Sequence, residues 1–501
     1  MSTEAPHRLK KDVLSTTDVI SQALAFLGPV MSMSFLTAYI AMAAGSAVPL
    51  AVLLGGLTMV ALGYVIAQFA SRVHAAGAIY NYAAKAFGPT AGFMGGWVYL
   101  FAVLCLTVAI IAGVAGWTTE VLGMFGVPLS GAYLWLIVAV IECVVLYLLS
   151  YYDVRISTKT QLWLVFGSVA LVIVVALIVL FKGGAGEFSL TPFSFSAAGG
   201  LQGLAFGMIF SILMYTGFES AAVLAEETVD PKRSMPIAIV GTVAAAVVLY
   251  VLVTFIYSIG FGFSAEGVAL WADPTQPALF SMAGMYVGDW MVGVVYLAAT
   301  VDGFAVALGC LTTASRVAYA IARDGALPAP LGRTHPKHQT PYIANGTILA
   351  LAFLVAIGFT MAFPPAAGVP TAYTIEFGYL AGIGAIAIEV IYVFVSIAAI
   401  VWFRRELKGE YSVLKHLVVP IVAVVGAGAA LYGSLLPQVD PLMQTMPYVA
   451  IVWIVFGLAY ILYLRSSKPG LVAKIGRDLS EMDSAEPVVD QRFSHDGAAK
   501  K

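Results

Sequence analysis

Charge is what this 501-residue sequence has little of. Only 10% of its residues are Asp, Glu, Lys or Arg, against roughly 25% in an ordinary soluble domain. Hydrophobic residues make up 61% and the mean hydropathy is +0.94. Water cannot hold that much apolar surface, whereas a bilayer solvates it. Three cysteines, Cys105, Cys143 and Cys310, each lie within an apolar run. An odd count at such positions excludes a disulfide framework and reads as small apolar filler. The six histidines (His7, His74, His335, His338, His416 and His495) fall in tails and loops, without Cys or Glu partners for a metal centre. No phosphate-cradling Gly-Lys loop exists, which argues against an ATP-driven pump. No basic patch lies outside short loops, so nucleic acid is not an expected partner. Nothing points to an enzyme.

What is present is a series of long apolar runs. The first, from Val19 to Leu54, is too long for a signal-peptide core and reads as retained. At roughly 20 residues per crossing, the chain divides into twelve spans. They fall near 18–46, 49–71, 92–124, 132–151, 160–181, 203–226, 236–262, 288–322, 342–363, 372–403, 414–436 and 446–464. Lys and Arg test this count, because they collect in cytoplasmic loops. Arg8, Lys10 and Lys11 precede span one. The even-numbered loops hold Arg72 and Lys85, Arg155 and Lys159, Lys232 and Arg233, Arg323, Arg333 and Lys337, then Arg404, Arg405, Lys408 and Lys415. Arg465, Lys468, Lys474 and Arg477 follow span twelve, and the odd-numbered loops hold little but Lys182. A miscount by one span would erase the asymmetry. The expected layout is a multi-pass protein of the cytoplasmic membrane with both termini inside. It comprises a segment 1–17, a transporter domain 18–465 and a flexible polar tail 466–501.

Two spans carry breaks. Span one contains Leu27-Gly28-Pro29-Val30, and span six contains Tyr215-Thr216-Gly217-Phe218-Glu219. Proline removes a backbone donor and clashes with the preceding turn. Broken backbone is tolerated at membrane depth only where it lines a protein cavity, and carriers use it to bind solute. The breaks are five spans apart, as two inverted five-span repeats (18–181 and 203–403) would require, with spans eleven and twelve (414–464) outside the repeat.

Three stretches resemble signatures of the amino acid–polyamine–organocation superfamily. The first is Ala76-Gly77-Ala78-Ile79-Tyr80-Asn81-Tyr82 followed by Phe87-Gly88-Pro89. The second is Gly217-Phe218-Glu219-Ser220 with Glu226-Glu227 and Asp230-Pro231-Lys232-Arg233. The third is Ala314-Ser315-Arg316 with Arg323-Asp324-Gly325 and Thr340-Pro341. The resemblance covers roughly residues 13–465. It implies an all-α polytopic fold with a five-plus-five inverted repeat. It also implies secondary active transport of an amino acid, amine or polyamine by alternating access, driven by sodium or protons. An amine exchanger is the alternative, and a channel a more distant one.

By the same resemblance, solute binding falls to Pro29, Met31, Ser32, Met33, Leu213, Tyr215, Thr216, Gly217 and Phe218. Ser32 matches the family pattern; Met31 and Met33 stand where it has glycines, which weakens the case for recognising an α-carboxylate. Tyr215 is expected to close over the solute. Glu219 matches a gating or proton-coupling carboxylate. Asp302 and Glu389 are two further deep carboxylates, and Ser168 takes the place of a span-five lysine. Leu27 and Val30 carbonyls with Thr312 and Thr313 hydroxyls form a possible sodium site, since such oxygens suit a hard cation. Arg316 and Arg323 lie about two helical turns apart and share a face, which could pair with Glu226 or Glu227 as an inner gate.

Overall fold

The computed structural model describes residues 9–124, 126, 133–152, 154–185, 188–273, 276–364, 371–436 and 441–476. His7, Arg8, Arg477, His495 and the rest of the expected tail lie outside the described residues, as does the side chain of Arg155. Among the described residues there is no strand, only an isolated bridge between Leu14 and Thr228.

Among the described residues, eleven helical stretches are long and apolar enough to cross a membrane. The first, Thr16–Ala70, has 55 residues. At 1.5 Å per residue it would extend about 80 Å, far beyond a hydrocarbon core of about 30 Å. It is interrupted at Gly28 and again by a 3-10 turn at Gly45–Ala47, so it makes two crossings and the total is twelve. Span one is Thr16–Leu27 plus 29–44, and span two is Val48–Ala70. Spans three to five are Pro89–Met124, Leu134–Tyr152 and Val154–Phe181. Span six is Leu201–Tyr215 followed by the 3-10 segment Phe218–Glu227. Spans seven to ten are Pro231–Phe261, Asp289–Arg323, Tyr342–Ala362 and Ala372–Arg405. Spans eleven and twelve are Leu414–Ser434 and Met443–Ser467.

The neighbours of each span follow the repeat. Span two packs on seven and three on eight. Span three packs on ten as eight packs on five; span one packs on seven as six packs on two. Span three packs on four as eight packs on nine. For these pairs, exchanging each span with the one five places on returns the same set; span one packs besides on five and on eight. Because lipid is as apolar as leucine, close backbone approach rather than hydrophobic force holds such pairs. A Cβ at Gly55 would run into the Ser211 hydroxyl, and one at Gly426 into that of Thr58. The outer faces are apolar and exposed, as at Trp163, Phe166, Leu252, Val425 and Val452.

Both described chain ends reach one end of the bundle. Val13 and Leu14 donate backbone hydrogen bonds to the Glu227 carbonyl. Within 466–476, expected as the start of a flexible tail, residues 471–476 instead pack back. The Gly476 amide donates to Asp324 Oδ2 at 2.8 Å and its carbonyl accepts from Asn81, with Val472 and Ile475 buried. Apolar residues at 471, 472 and 475 within the polar tail supply the reason. His416, read as a loop residue, is buried at the start of span eleven and stacks on Phe403.

Candidate functional site

The first break begins at Gly28, whose φ of 53° ends the preceding helix. Beyond it, the amides of Val30 and Met31 have no carbonyl one turn back. Both donate to Asp302 Oδ2, each at 3.0 Å. Ser168 of span five donates to Asp302 Oδ1 at 2.8 Å. Asp302 is fully buried, and its charge faces the positive end of the second half-helix. The Ser32 hydroxyl reaches the carbonyls of Leu27 (2.9 Å) and Met214 (3.2 Å), which joins the two breaks.

The second break lies at Thr216 and Gly217, where the α-helix stops and a 3-10 turn begins. Gly217 has φ 123°, a region that disfavours any side chain. A Cβ there would sit 2.7 to 2.8 Å from Phe26 atoms, backbone included. Gly217→Ala is therefore expected to force spans one and six apart, costing roughly 1–3 kcal/mol of strain. A fall of several degrees in the unfolding midpoint, with at least tenfold slower transport, is the result to look for; wild-type values for both would refute the close approach.

Glu219 lies just past this glycine, 1% exposed. Its Oε2 accepts from the Gly217 amide at 2.9 Å and its Oε1 from the Tyr392 hydroxyl of span ten at 3.0 Å. No cation pairs with it among the described residues. Gln22 fills the space between spans one and eight: its Nε2 donates to the Gly309 carbonyl (2.9 Å) and Thr313 Oγ1 (3.4 Å), and Ser220 donates to its backbone oxygen.

Several sequence-derived candidates converge. Ser168 and Asp302 meet at the first break, Gly217 and Glu219 at the second, and Ser32 bridges the two breaks through the Met214 carbonyl. Others do not. Tyr215, expected to cover the solute, is buried against span two and donates to the Val52 carbonyl at 3.1 Å. Its ring packs on Tyr250 of span seven, with centroids 5.2 Å apart. Thr216 and Leu213 mainly satisfy their own turn, through the Ile212 and Leu213 carbonyls. Phe218 packs towards Gly63 of span two. Met31 and Met33 are buried, and Pro29 lines a groove of about 200 Å³. Glu389 is buried in span ten, one turn before Tyr392, and neither of its oxygens has a partner among the described residues.

The proposed sodium donors fit a cation poorly in this conformation. Thr313 donates to Gly309 and receives the Gln22 amide nitrogen, itself a donor, while the Leu27 carbonyl already accepts from Ser32. Thr312 is buried and its carbonyl accepts from Arg316. Sequence reasoning missed Gln22, Tyr250 and Tyr392. A glutamine at depth in an apolar run was the available signal for the first; nothing local marked the tyrosines.

Two barriers flank the breaks. At the end reached by both described chain ends, Arg316 Nε meets Glu227 Oε1 at 2.6 Å with both side chains buried, and Arg323 Nη1 meets Glu226 Oε1 at 3.2 Å. The Ala76 amide also donates to Glu226. Towards the opposite end, Phe35 stacks on Trp117 with centroids 4.5 Å apart, beside Phe377 and Phe280. Phe280 arrives from Ala278–Tyr286, a helix in the loop between spans seven and eight.

A buried site between two barriers, built on broken helices, is the arrangement of a carrier. The profile of one family, Amino acid permease, matches residues 13–457. The methylthioribose transporter of Bacillus subtilis (strain 168) is 26% identical over 442 residues, covering 84% of this chain and 87% of that protein. A branched-chain amino acid permease of the same organism is 26% identical over 60% of this chain and 68% of its own length. A low-affinity putrescine importer of Escherichia coli (strain K12) is 24% identical over 78% of this chain and 80% of its own. With its helical bundle, its paired breaks and a profile match across most of its length, this chain belongs to the amino acid permease family and is a multi-pass membrane transporter.

Proposed function

We propose that the chain carries a small amine or amino acid by alternating access, coupled to protons through Glu219, in a membrane where both termini face the cytoplasm. The observation that carries this reading is the setting of Glu219. The carboxylate sits at the second break, bound to a backbone amide of span six and to Tyr392 of span ten. Gaining or losing a proton there changes bonds to two spans that must move relative to one another. A charge buried in this way is costly and belongs to function more often than to stability. The Lys and Arg asymmetry of the loops supports the orientation. The Gln22 amide at Thr313 favours protons over sodium.

Uptake into proteoliposomes tests the reading. Saturable uptake of an amine or amino acid is expected, driven by an inwardly directed proton gradient and unchanged when choline replaces sodium. Dependence on sodium with indifference to pH would overturn the coupling. Ionic currents without saturation would overturn the carrier.

A further inference from the structure

We infer that Asp302 stands in for a solute carboxylate, and that the solutes of this site are aliphatic monoamines without one. The inference rests on the transport reading above and names its substrate class. Free amides at the start of a half-helix would be the natural seat for an anion. Here the amides of Val30 and Met31 are taken by Asp302, a residue of span eight about 270 positions away in the chain. The Ser32 hydroxyl is taken as well, by the Leu27 and Met214 carbonyls. An incoming carboxylate would have to displace a buried side chain and then lie against it, like charge to like.

What remains unmet favours a donor. A carboxylate has about four lone-pair sites; Val30, Met31 and Ser168 use three of those on Asp302. Tyr250 lies fully buried with its hydroxyl against Ser32 and near the Asp302 carboxylate. An ammonium placed there donates to Asp302 and to Tyr250 together. The adjoining space is apolar. The groove of about 200 Å³ between spans one, five and seven is lined by Leu24, Leu27, Pro29, Phe166, Leu249 and Tyr250, and on the Phe166 side it opens to the outer face of the bundle. It begins within two residues of the Asp302-bound amides and suits an alkyl chain. A second ammonium in it would be stranded without a partner, which disfavours diamines.

The test compares an amine with its own amino acid. Full-length protein in lipid nanodiscs is titrated with isopentylamine, leucine and putrescine, reading thermal stabilisation, alongside counterflow in proteoliposomes. Isopentylamine is expected to stabilise at a concentration at least tenfold below that needed for leucine or putrescine. Asp302→Asn keeps the hydrogen-bonded shape and removes the charge, so it should weaken isopentylamine at least tenfold without gain for leucine. Asp302→Ala frees both amides and should narrow or reverse the preference. If that variant does not fold, the wild-type order and the Asn variant decide. Leucine equal to or better than isopentylamine overturns the inference and leaves the transporter intact. Methylthioribose or putrescine alone stabilising the protein overturns the monoamine class. Stabilisation by none of these, with counterflow of some other solute, also overturns it. Counterflow of no solute at all refutes the transport reading itself.

Discussion

Glu219→Gln will abolish accumulation and leave exchange. Glutamine has the size of glutamate. Its oxygen can keep the Gly217 amide, and its nitrogen can face Tyr392, whose hydroxyl turns from donor to acceptor. The break should therefore keep its shape. What disappears is a group able to hold a proton in one state and release it in the other. Each pH unit is worth about 1.4 kcal/mol per proton, a tenfold ratio of solute. Wild-type vesicles under an inward gradient of about one unit should then approach roughly tenfold accumulation for one proton per solute. The variant should stop at equal concentrations while counterflow stays within about threefold of wild type. Accumulation by the variant at the wild-type level would remove Glu219 from the coupling step.

Arg316→Ala should cost about 3–5 kcal/mol, the usual result of stripping one partner from a buried ion pair. Arg316 is 4% exposed and Glu227 1%, with the charged atoms 2.6 Å apart. The loss falls on the conformation that keeps this end shut, because Glu227 is left charged and dry; an open end would wet it. Population follows, since about 5.5 kcal/mol moves an equilibrium from 1:99 to 99:1. Cys310 reports the opening: it is a fully buried thiol on the same span, two turns before Arg316. With Cys105 and Cys143 replaced by alanine, a small polar thiol reagent should modify Cys310 at least tenfold faster in the Arg316→Ala protein. Its unfolding midpoint should fall as well. Arg316→Ala combined with Glu227→Ala should recover part of the stability, since no charge is left stranded. Unchanged labelling and an unchanged midpoint would show that the pair does not hold this end closed.

The architecture was legible because its causes are local. An apolar run of span length must cross, and an interfacial lysine or arginine marks a side, whatever the rest of the chain does. The breaks were legible for the same reason. Pro29 and Gly217 act on their own backbone, and in each case the preceding helix ends two residues earlier, at Leu27 and Tyr215. The Arg316 and Arg323 face could be read from helical period alone, and it meets Glu227 and Glu226.

Partnerships were another matter. Period says which residues share a face of a helix but not how that helix is rotated against a helix hundreds of residues away. Tyr215 adjoins a break and so seemed aimed at the solute; the rotation of span six turns it into span two. Thr313 has the hydroxyl a sodium ion wants, yet Gln22 arrives from span one to claim it. Asp302 was visible as a buried carboxylate in the sequence. That it closes on the amides of the first break, and so decides what charge a solute can bring there, depends on spans one, five and eight meeting at one point. The sequence by itself determined that the chain crosses the membrane twelve times, where it breaks and to which family it belongs, since each is written in short-range composition and order. Only the tertiary structure decided which buried donor faces which buried acceptor, because in a medium without water every such group must find its partner across the bundle.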